Sequence, residues 1–448
     1  MKNMTPETAA KVCGGRLCGE YTYDCELGHV VIDSRAVKKG DLFVAYKGER
    51  ADGHDYISTA FDRGAACCLA ERIPEGENRP IILVPDVQEA LERICTEYRR
   101  TLSLPIIGIT GSVGKTSAKE MISAVLSSKM KIHKTDKNFN NRIGVPMTIS
   151  GIGPEHEAAV IEMGISGFGE MSELAAMVRP DIAVFTVIGH AHLEFLHDLD
   201  GVLKAKTEML DYMDDDGLVI MNGDDEKLRG FQCRQKKLYF GLSDGCDVTA
   251  RNIRLGKNGS TDCEILCGER RISAHIPAYG QHMVYAALEG VAVGIAMGLS
   301  DEEISQGIAS YETVGRRGAV TDTGFVTLVD DSYNANPDSM KCGIDSLMKM
   351  PGRHVCILGD MLELGENSKE MHFDVGRYAR EKGIDLVLCS GTLSAETSRG
   401  AGEKGVHFSS NSELIPALGT YIRKDDVVLV KASRGAHLEE AAEALKTL

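Results

Sequence analysis

Residues 104–120, LPIIGITGSVGKTSAKE, carry the residue types and spacing of a phosphate cradle. Ile106, Ile107 and Ile109 form a short apolar run that reads as a buried strand. Gly111 and Gly114 then let the backbone turn so that successive N–H groups point inward at phosphate oxygens. A helix starting near Lys115 aims its positive end at the same place. Lys115 can reach terminal phosphates, and the Thr116 hydroxyl can hold magnesium. Thr110, Gly111, Ser112, Gly114, Lys115, Thr116 and Ser117 are therefore the expected nucleotide-binding run. The spacing departs from the strict G-x-x-x-x-G-K-[ST] form, because position 109 is isoleucine and the glycine stands one residue earlier, at Gly108.

Three further apolar runs end in polar groups. EAAVIEM at 157–163 places Glu162 near a strand's C-terminal end, and PDIAVFTVIGHAHLE at 180–194 leads into His190, His192 and Glu194. GLVIMNGDD at 217–225 ends in Asn222, Asp224 and Asp225. Strands alternating with helices imply a mostly parallel sheet covered on both faces, with ligands gathering at the strand C-termini. Carboxylates and imidazoles thus reach the edge that holds the glycine loop. LKAKTEML at 203–210 is helical, and its Lys204 and Lys206 read on spacing alone as a solvated face. Earlier in the chain, Asp33, Ser34 and Arg35 stand at a strand end where a hydroxyl and a guanidinium can grip a phosphate or uracil. Surface pairing of Arg35 with Asp33 is the competing reading.

The elements that must position these groups fall into three α/β units, expected at 1–103, 104–312 and 313–448. The first has strands within 29–35, 41–48 and 81–86, with AFDRGAACCLAE at 60–71 read as helical. In the second, 279–299 reads as one long apolar helix packed on the sheet. The third has strands within 325–331, 354–361, 385–391 and 427–433 before an amphipathic terminal helix, a doubly wound pattern.

A chain of 448 residues is long enough for two or three such cores. Its formal net charge of −16 argues against nucleic acid and anionic membrane as partners, so an anionic substrate must meet local positive groups. The N-terminal MKNMTPETAAKVCGG has no apolar signal core, and no stretch reaches the roughly 18 apolar residues of a membrane span. A cytoplasmic location is expected. Thirteen cysteines without a C-x-x-C pair suggest neither a disulfide framework nor a zinc site, but reduced, mostly buried thiols.

Several stretches together resemble the Mur ligase family across nearly the whole chain. IDSRAVKKGDLFVAYKGERADGH at 32–54 resembles the family's uridine-diphosphate-binding region, which favours a substrate role for Asp33, Ser34 and Arg35. KNFNNRIGVPMT at 137–148 resembles the segment contacting the UDP-sugar, with Asn138, Asn140 and Asn141 as matching polar residues. LVDDSYNANPDSM at 328–340 and ILGDMLELGE at 357–366 discriminate best within the family, and a DNPR-type signature of a sister enzyme is absent. The resemblance implies a UDP-sugar-binding first domain, a P-loop NTPase-like central domain and a Rossmann-like ligase domain. It implies an ATP-dependent ligase joining D-alanyl-D-alanine to UDP-N-acetylmuramoyl-tripeptide through an acyl phosphate, working as a monomer in cytoplasmic peptidoglycan precursor synthesis.

Residue by residue, the resemblance makes Thr116 and Glu162 ligands of one magnesium ion, and His192 with a carbamylated Lys206 ligands of a second. Lys115, Lys206 and His192 become the catalytic group. His282, Arg316, Asp331, Asn334 and Asn336 become further ATP-binding residues, those of the last domain arriving when the domains close. There are departures from the family pattern. Val187 and His190 replace a common asparagine and a small residue or proline, Met283 and Ala286 replace two asparagines, and Ala432 replaces a glycine. Losing one adenine hydrogen bond costs on the order of 1 kcal/mol, which weakens an ATP site without abolishing it. The alternatives are a weakened homologue that binds a UDP precursor, another Mur-type amino acid ligase, and a nucleotide-hydrolysing switch.

Overall fold

A computed structural model describes residues 1–20, 25–48, 51–256 and 259–448. Glu49 and Arg50 of the 32–54 stretch lie outside the described residues. Three sheets follow one another along the chain. The first has five short strands, with Ile81–Leu83, Cys67–Ala70, Leu42–Val44 and Val30–Val31 parallel and Arg16–Cys18 antiparallel at one edge. Cys67–Ala70 falls inside the stretch read as helical. The helix Ile57–Asp62 ends before Gly64, whose φ of +106° turns the chain, and Cys67–Ala70 are wholly buried between two strands. Short apolar runs fit either element, and here the sheet won.

The central sheet has nine strands. Ile106–Thr110 lies between Ala158–Glu162 and Ile182–Phe185, all three parallel and buried on both faces, as their unbroken apolar runs require. Leu218–Asn222 and Lys236–Phe240 extend the parallel set. Beyond them Val248–Leu255, Thr261–Cys267 and Arg270–Ile276 form an antiparallel meander that the strand-helix reading passed over. Its alternating buried and exposed residues show one face on the core and one in water. The long helix Gln281–Ala296 covers the sheet, with Gly290 and Gly294 admitting Val125 of the helix Lys115–Ser127 to close contact.

The last sheet runs Ala319–Asp322, Thr327–Asp331, Val427–Lys431, His354–Gly359, Leu386–Ser390 and Gly405–Phe408, parallel except for the first strand. The first two units share a core. Leu91, Ile94, Cys95 and Tyr98 of the helix Val87–Arg100 pack in one apolar cluster with Val145, Ile149, Ile161 and Met163. Tyr98 donates its hydroxyl proton to the Ile152 carbonyl at 2.5 Å. Among the described residues no helix is long and apolar enough to cross a membrane.

Candidate active site

The glycine loop bridges the strand Ile106–Thr110 and the helix Lys115–Ser127. Gly111 has φ +151°, and a Cβ there would come within 1.9 Å of Thr186 Oγ1, so only glycine fits beneath the neighbouring strand end. Gly114 at φ +85° starts the helix, and no side chain caps it. The first-turn N–H groups are left to meet an anion. The loop is braced from behind: Ser112 N–H donates to the Val187 carbonyl at 2.8 Å, and Thr186 Oγ1 donates to the Val113 carbonyl at 2.5 Å. Lys115 Nζ donates to the Gly111 carbonyl at 2.7 Å, folded over the loop it would share with a phosphate. Burial pulls its pKa down, opposed by Glu162 and aided by Arg317.

Glu162 is 2 % exposed at the end of its strand. Its two oxygens accept from Thr116 Oγ1 at 2.9 Å and from Asn140 Nδ2 at 2.8 Å, so three residues from separate segments converge. A hydroxyl and a carboxylate at this spacing are hard oxygen donors of the kind magnesium takes. Lys206 lies on the helix Leu199–Thr207, two residues from the exposed Lys204, yet it is 1 % exposed. Among the described residues it makes no hydrogen bond or ion pair. Burial, and then the nearby Lys115, push its pKa well down. A shift in that direction favours the neutral, nucleophilic amine over the ammonium. His192 stands before the short helix Leu193–Leu196 with φ +55°, and its Nδ1 lies 2.6 Å from Glu363 Oε2. Burial lowers its pKa, Glu363 raises it, and Lys206 and Lys115 lower it further.

Lys115, Thr116, Asn140, Glu162 and His192 open on a cavity of about 580 Å3 that the last unit also lines, whereas Lys206 is not among its lining residues. Lys115, Thr116, Asn138, Asn140, Asn141, Glu162, His192 and His282 of the central unit line it, together with Arg317, Asp331, Asn334, Asn336 and Lys431 of the last unit. Asp331 is fastened by Lys431 Nζ at 2.5 Å, and Asn336 caps the helix Pro337–Leu347 by accepting from Ser339 N–H. His282 Nδ1 is buried with no partner among the described residues, a polar atom left for a ligand. Met283 and Ala286, the two departures on the same helix, are buried in the core instead.

Some expected residues stand elsewhere. Thr110 is fully buried and its hydroxyl donates to the Met163 carbonyl at 3.0 Å, which makes it a strut behind the loop and not part of the cavity wall. Arg316 turns outward to Glu443 at 3.0 Å. Its neighbour Arg317, passed over in the sequence, faces the cavity with its guanidinium 3.9 Å from the Tyr333 ring centroid. Two adjacent arginines cannot be told apart by spacing, because a turn residue decides which one points inward. Asn222, Asp224 and Asp225 serve as supports: Asn222 donates to the Thr186 carbonyl, Asp225 accepts from Ile188 N–H, and Asp224 accepts from Tyr285 Oη. Arg35 pairs with Asp33 on the surface at 2.9 Å, and neither residue nor the buried Ser34 lines the cavity. Among the described residues no three His, Cys, Asp or Glu side chains form a ready metal cage.

Three family models cover the chain in order. Residues 26–99 match "Mur ligase family, catalytic domain", 109–294 match "Mur ligase middle domain", and 315–434 match "Mur ligase, glutamate ligase domain". The chain belongs to the Mur ligase family. This Mur ligase is 35% identical to the UDP-N-acetylmuramoyl-tripeptide--D-alanyl-D-alanine ligase of Escherichia coli (strain K12), over 100% of the chain and 99% of the relative. Its fold is similar to a crystal structure of MurF from Acinetobacter baumannii, with TM-score 0.91, 29% identity and 99% of each chain covered. A MurF ligase from Thermotoga maritima, solved in complex with ADP, gives TM-score 0.85 at 30% identity, covering 95% of this Mur ligase and 99% of that chain.

Proposed function

We propose that this Mur ligase joins D-alanyl-D-alanine to UDP-N-acetylmuramoyl-tripeptide with cleavage of ATP, as an acid–D-amino-acid ligase of peptidoglycan precursor synthesis. The observation that carries the reading is the single cavity walled on one side by Lys115, Thr116 and Glu162 and on the other by the last lobe. Phosphoryl transfer and amide formation both need water kept out, and a cavity closed by a second lobe does that. We take 1–103 as the UDP-sugar-binding domain, 104–312 as the ATP-binding domain and 313–448 as the ligase domain. All walls come from one chain, so a monomer suffices, and the place of action is the cytoplasm.

Lys115 and the uncapped helix start hold the β- and γ-phosphates, and Arg317 approaches from the opposite wall. The terminal carboxylate of the tripeptide attacks the γ-phosphorus, the bond to ADP breaks, and an acyl phosphate forms. The amine of the dipeptide attacks the carbonyl carbon, loses a proton, and phosphate leaves as the amide closes. Thr116 with Glu162, and His192 with Lys206, are the donor pairs for two magnesium ions, which when bound neutralise charge on the transferred group. Lys206 fits this role through its chemistry: a partnerless buried amine adds CO2 and loses a proton, becoming a carbamate able to ligate metal. His282, with its orphaned nitrogen, faces the adenine. Asn138, Asn140, Asn141 and the Asp33–Arg35 turn belong to the UDP-precursor side.

Phosphate release is the test, with ATP, UDP-tripeptide and dipeptide omitted in turn. Release that needs all three is expected. Release with ATP alone overturns the reading in favour of a nucleotide switch, and tight UDP-tripeptide binding without turnover overturns it in favour of a binding protein.

A further inference from the structure

Glu363 enters the cavity from the last lobe on a turn, residues 359–365, that is locked from within. Asp360 accepts from Thr392 N–H at 3.0 Å and Ser394 N–H at 2.7 Å, Met361 N–H donates to His372 Nε2 at 2.9 Å, and Leu362 N–H donates to Ser433 Oγ at 3.0 Å. Glu363 itself has φ +61°, a left-handed conformation unfavourable for a residue with a Cβ. Two residues on, Gly365 at φ +71° lies so close to Glu194 that an added Cβ would approach its Cα at 3.4 Å. The turn is thus docked on the segment that carries His192, which is also left-handed. Two strained residues from opposite lobes meet here, with Glu363 Oε2 at 2.6 Å from His192 Nδ1.

A carboxylate can only accept, so the shared proton sits on Nδ1 and the ring's free lone pair on Nε2. That nitrogen has no partner among the described residues, and the ring lines the cavity. We propose that Glu363 is a positioning residue that accepts the Nδ1 proton of His192 when the last lobe docks. It thereby turns Nε2 toward a divalent cation, so that this metal position is complete only in the closed protein. The inference rests on the metal role proposed for His192. A fastening role alone would not need Glu363, because the same segment is already tied to the same lobe where His190 N–H donates to Asp338 Oδ2 at 2.7 Å. Carboxylates behind a metal-bound imidazole set its tautomer and raise its basicity, and their loss costs 10- to 100-fold in metal affinity.

The experiment titrates Mn2+ into the full chain with a non-hydrolysable ATP analogue, counting sites by paramagnetic resonance and following lobe closure by small-angle scattering. Two Mn2+ sites are expected in the parent. In Glu363→Ala the weaker site should lose about tenfold in affinity or more, with the tighter site and the closed envelope unchanged. Glu363→Gln, which keeps an acceptor without the charge, should fall between. Unchanged Mn2+ binding in Glu363→Ala, alongside loss of one site in His192→Ala, overturns the inference and leaves the metal role of His192 standing. Two unchanged sites in His192→Ala overturn that role itself. Loss of closure together with the metal in Glu363→Ala makes the residue a clasp and also overturns the inference.

Discussion

Lys206 and Lys204 sit two positions apart on one helix and differ in everything that matters for chemistry. One is exposed; the other is buried near Lys115, with no hydrogen-bond or ion-pair partner among the described residues. Burying an unpaired ammonium costs several kcal/mol, so burial favours the neutral amine, the form that the proposed carbamate requires. Lys206→Ala should lower three-substrate phosphate release by at least about 100-fold, and formate or acetate should restore part of it. Failure of any short carboxylate to rescue the variant would count against a carbamate. The arginine pair gives a second contrast. Arg317→Ala should raise KM for ATP roughly tenfold or more, the loss of a charge-assisted contact of about 1.5 kcal/mol. Arg316→Ala, losing the ion pair to the half-exposed Glu443 and the long contact of 3.9 Å to Asp330, both outside the cavity, should stay within about threefold of the parent. Steady-state kinetics on both variants separate the two.

At the level of elements, the strand Ile132–Lys134 is tied to the helix Gly144–Ser150 by one histidine. His133 Nε2 donates to the Thr148 carbonyl at 2.8 Å, and its ring centroid lies 5.0 Å from that of His156. Burial pulls its pKa down to about 4 from 6.5. The folded form therefore favours the neutral ring, and the stability this carries is present above pH 6.5 and is lost as pH falls toward 4. The unfolded chain takes up the proton first in that window, a loss of up to about 3 kcal/mol at 1.36 kcal/mol per unit. Thermal melts from pH 7 to 4 should show the decline, and His133→Gln should flatten it. The segment leads into Asn138, Asn140 and Asn141, so nucleotide or UDP-precursor affinity should weaken over the same range.

At the level of the whole molecule, the helix Val87–Arg100 belongs by sequence to the first unit and packs in a core shared with the second. Leu91, Ile94, Cys95 and Tyr98 are at most 1 % exposed. At about 1.5–3 kcal/mol for each, their burial is worth roughly 6–12 kcal/mol, as much as a domain's whole stability. A chain cut to residues 104–448 should be insoluble or melt far below the parent, whereas 87–448 keeps the helix and should remain folded. Equal melting temperatures for the two would show that the shared core carries little. The last lobe is attached by a smaller apolar contact, Tyr279 and Leu255 against its core, and by polar contacts such as His190 with Asp338 and Lys349 with Gln281. Interfaces of that kind open and close readily, which suits a lobe that must admit three substrates.

Local patterns were enough for much of this. Apolar runs marked Ile106–Thr110, Ala158–Glu162 and Ile182–Phe185 as double-faced strands, and Gly111 and Gly114 marked the tight turn from strand into the helix that starts at Lys115, because strand burial and loop dihedrals depend on neighbouring residues. The meander from Val248 to Ile276 and the buried strand Cys67–Ala70 were not readable that way, since their state depends on partners distant in the chain. The same holds for which of Arg316 and Arg317 faces inward and for the burial of Lys206 but not Lys204. It holds also for the meeting of Glu363 with His192 across 171 positions. Periodicity reports which face of an element is apolar. Which polar side chains lose their water, and what they then find opposite them, follows from how separate lobes pack, and that is where the chemistry of this Mur ligase is set.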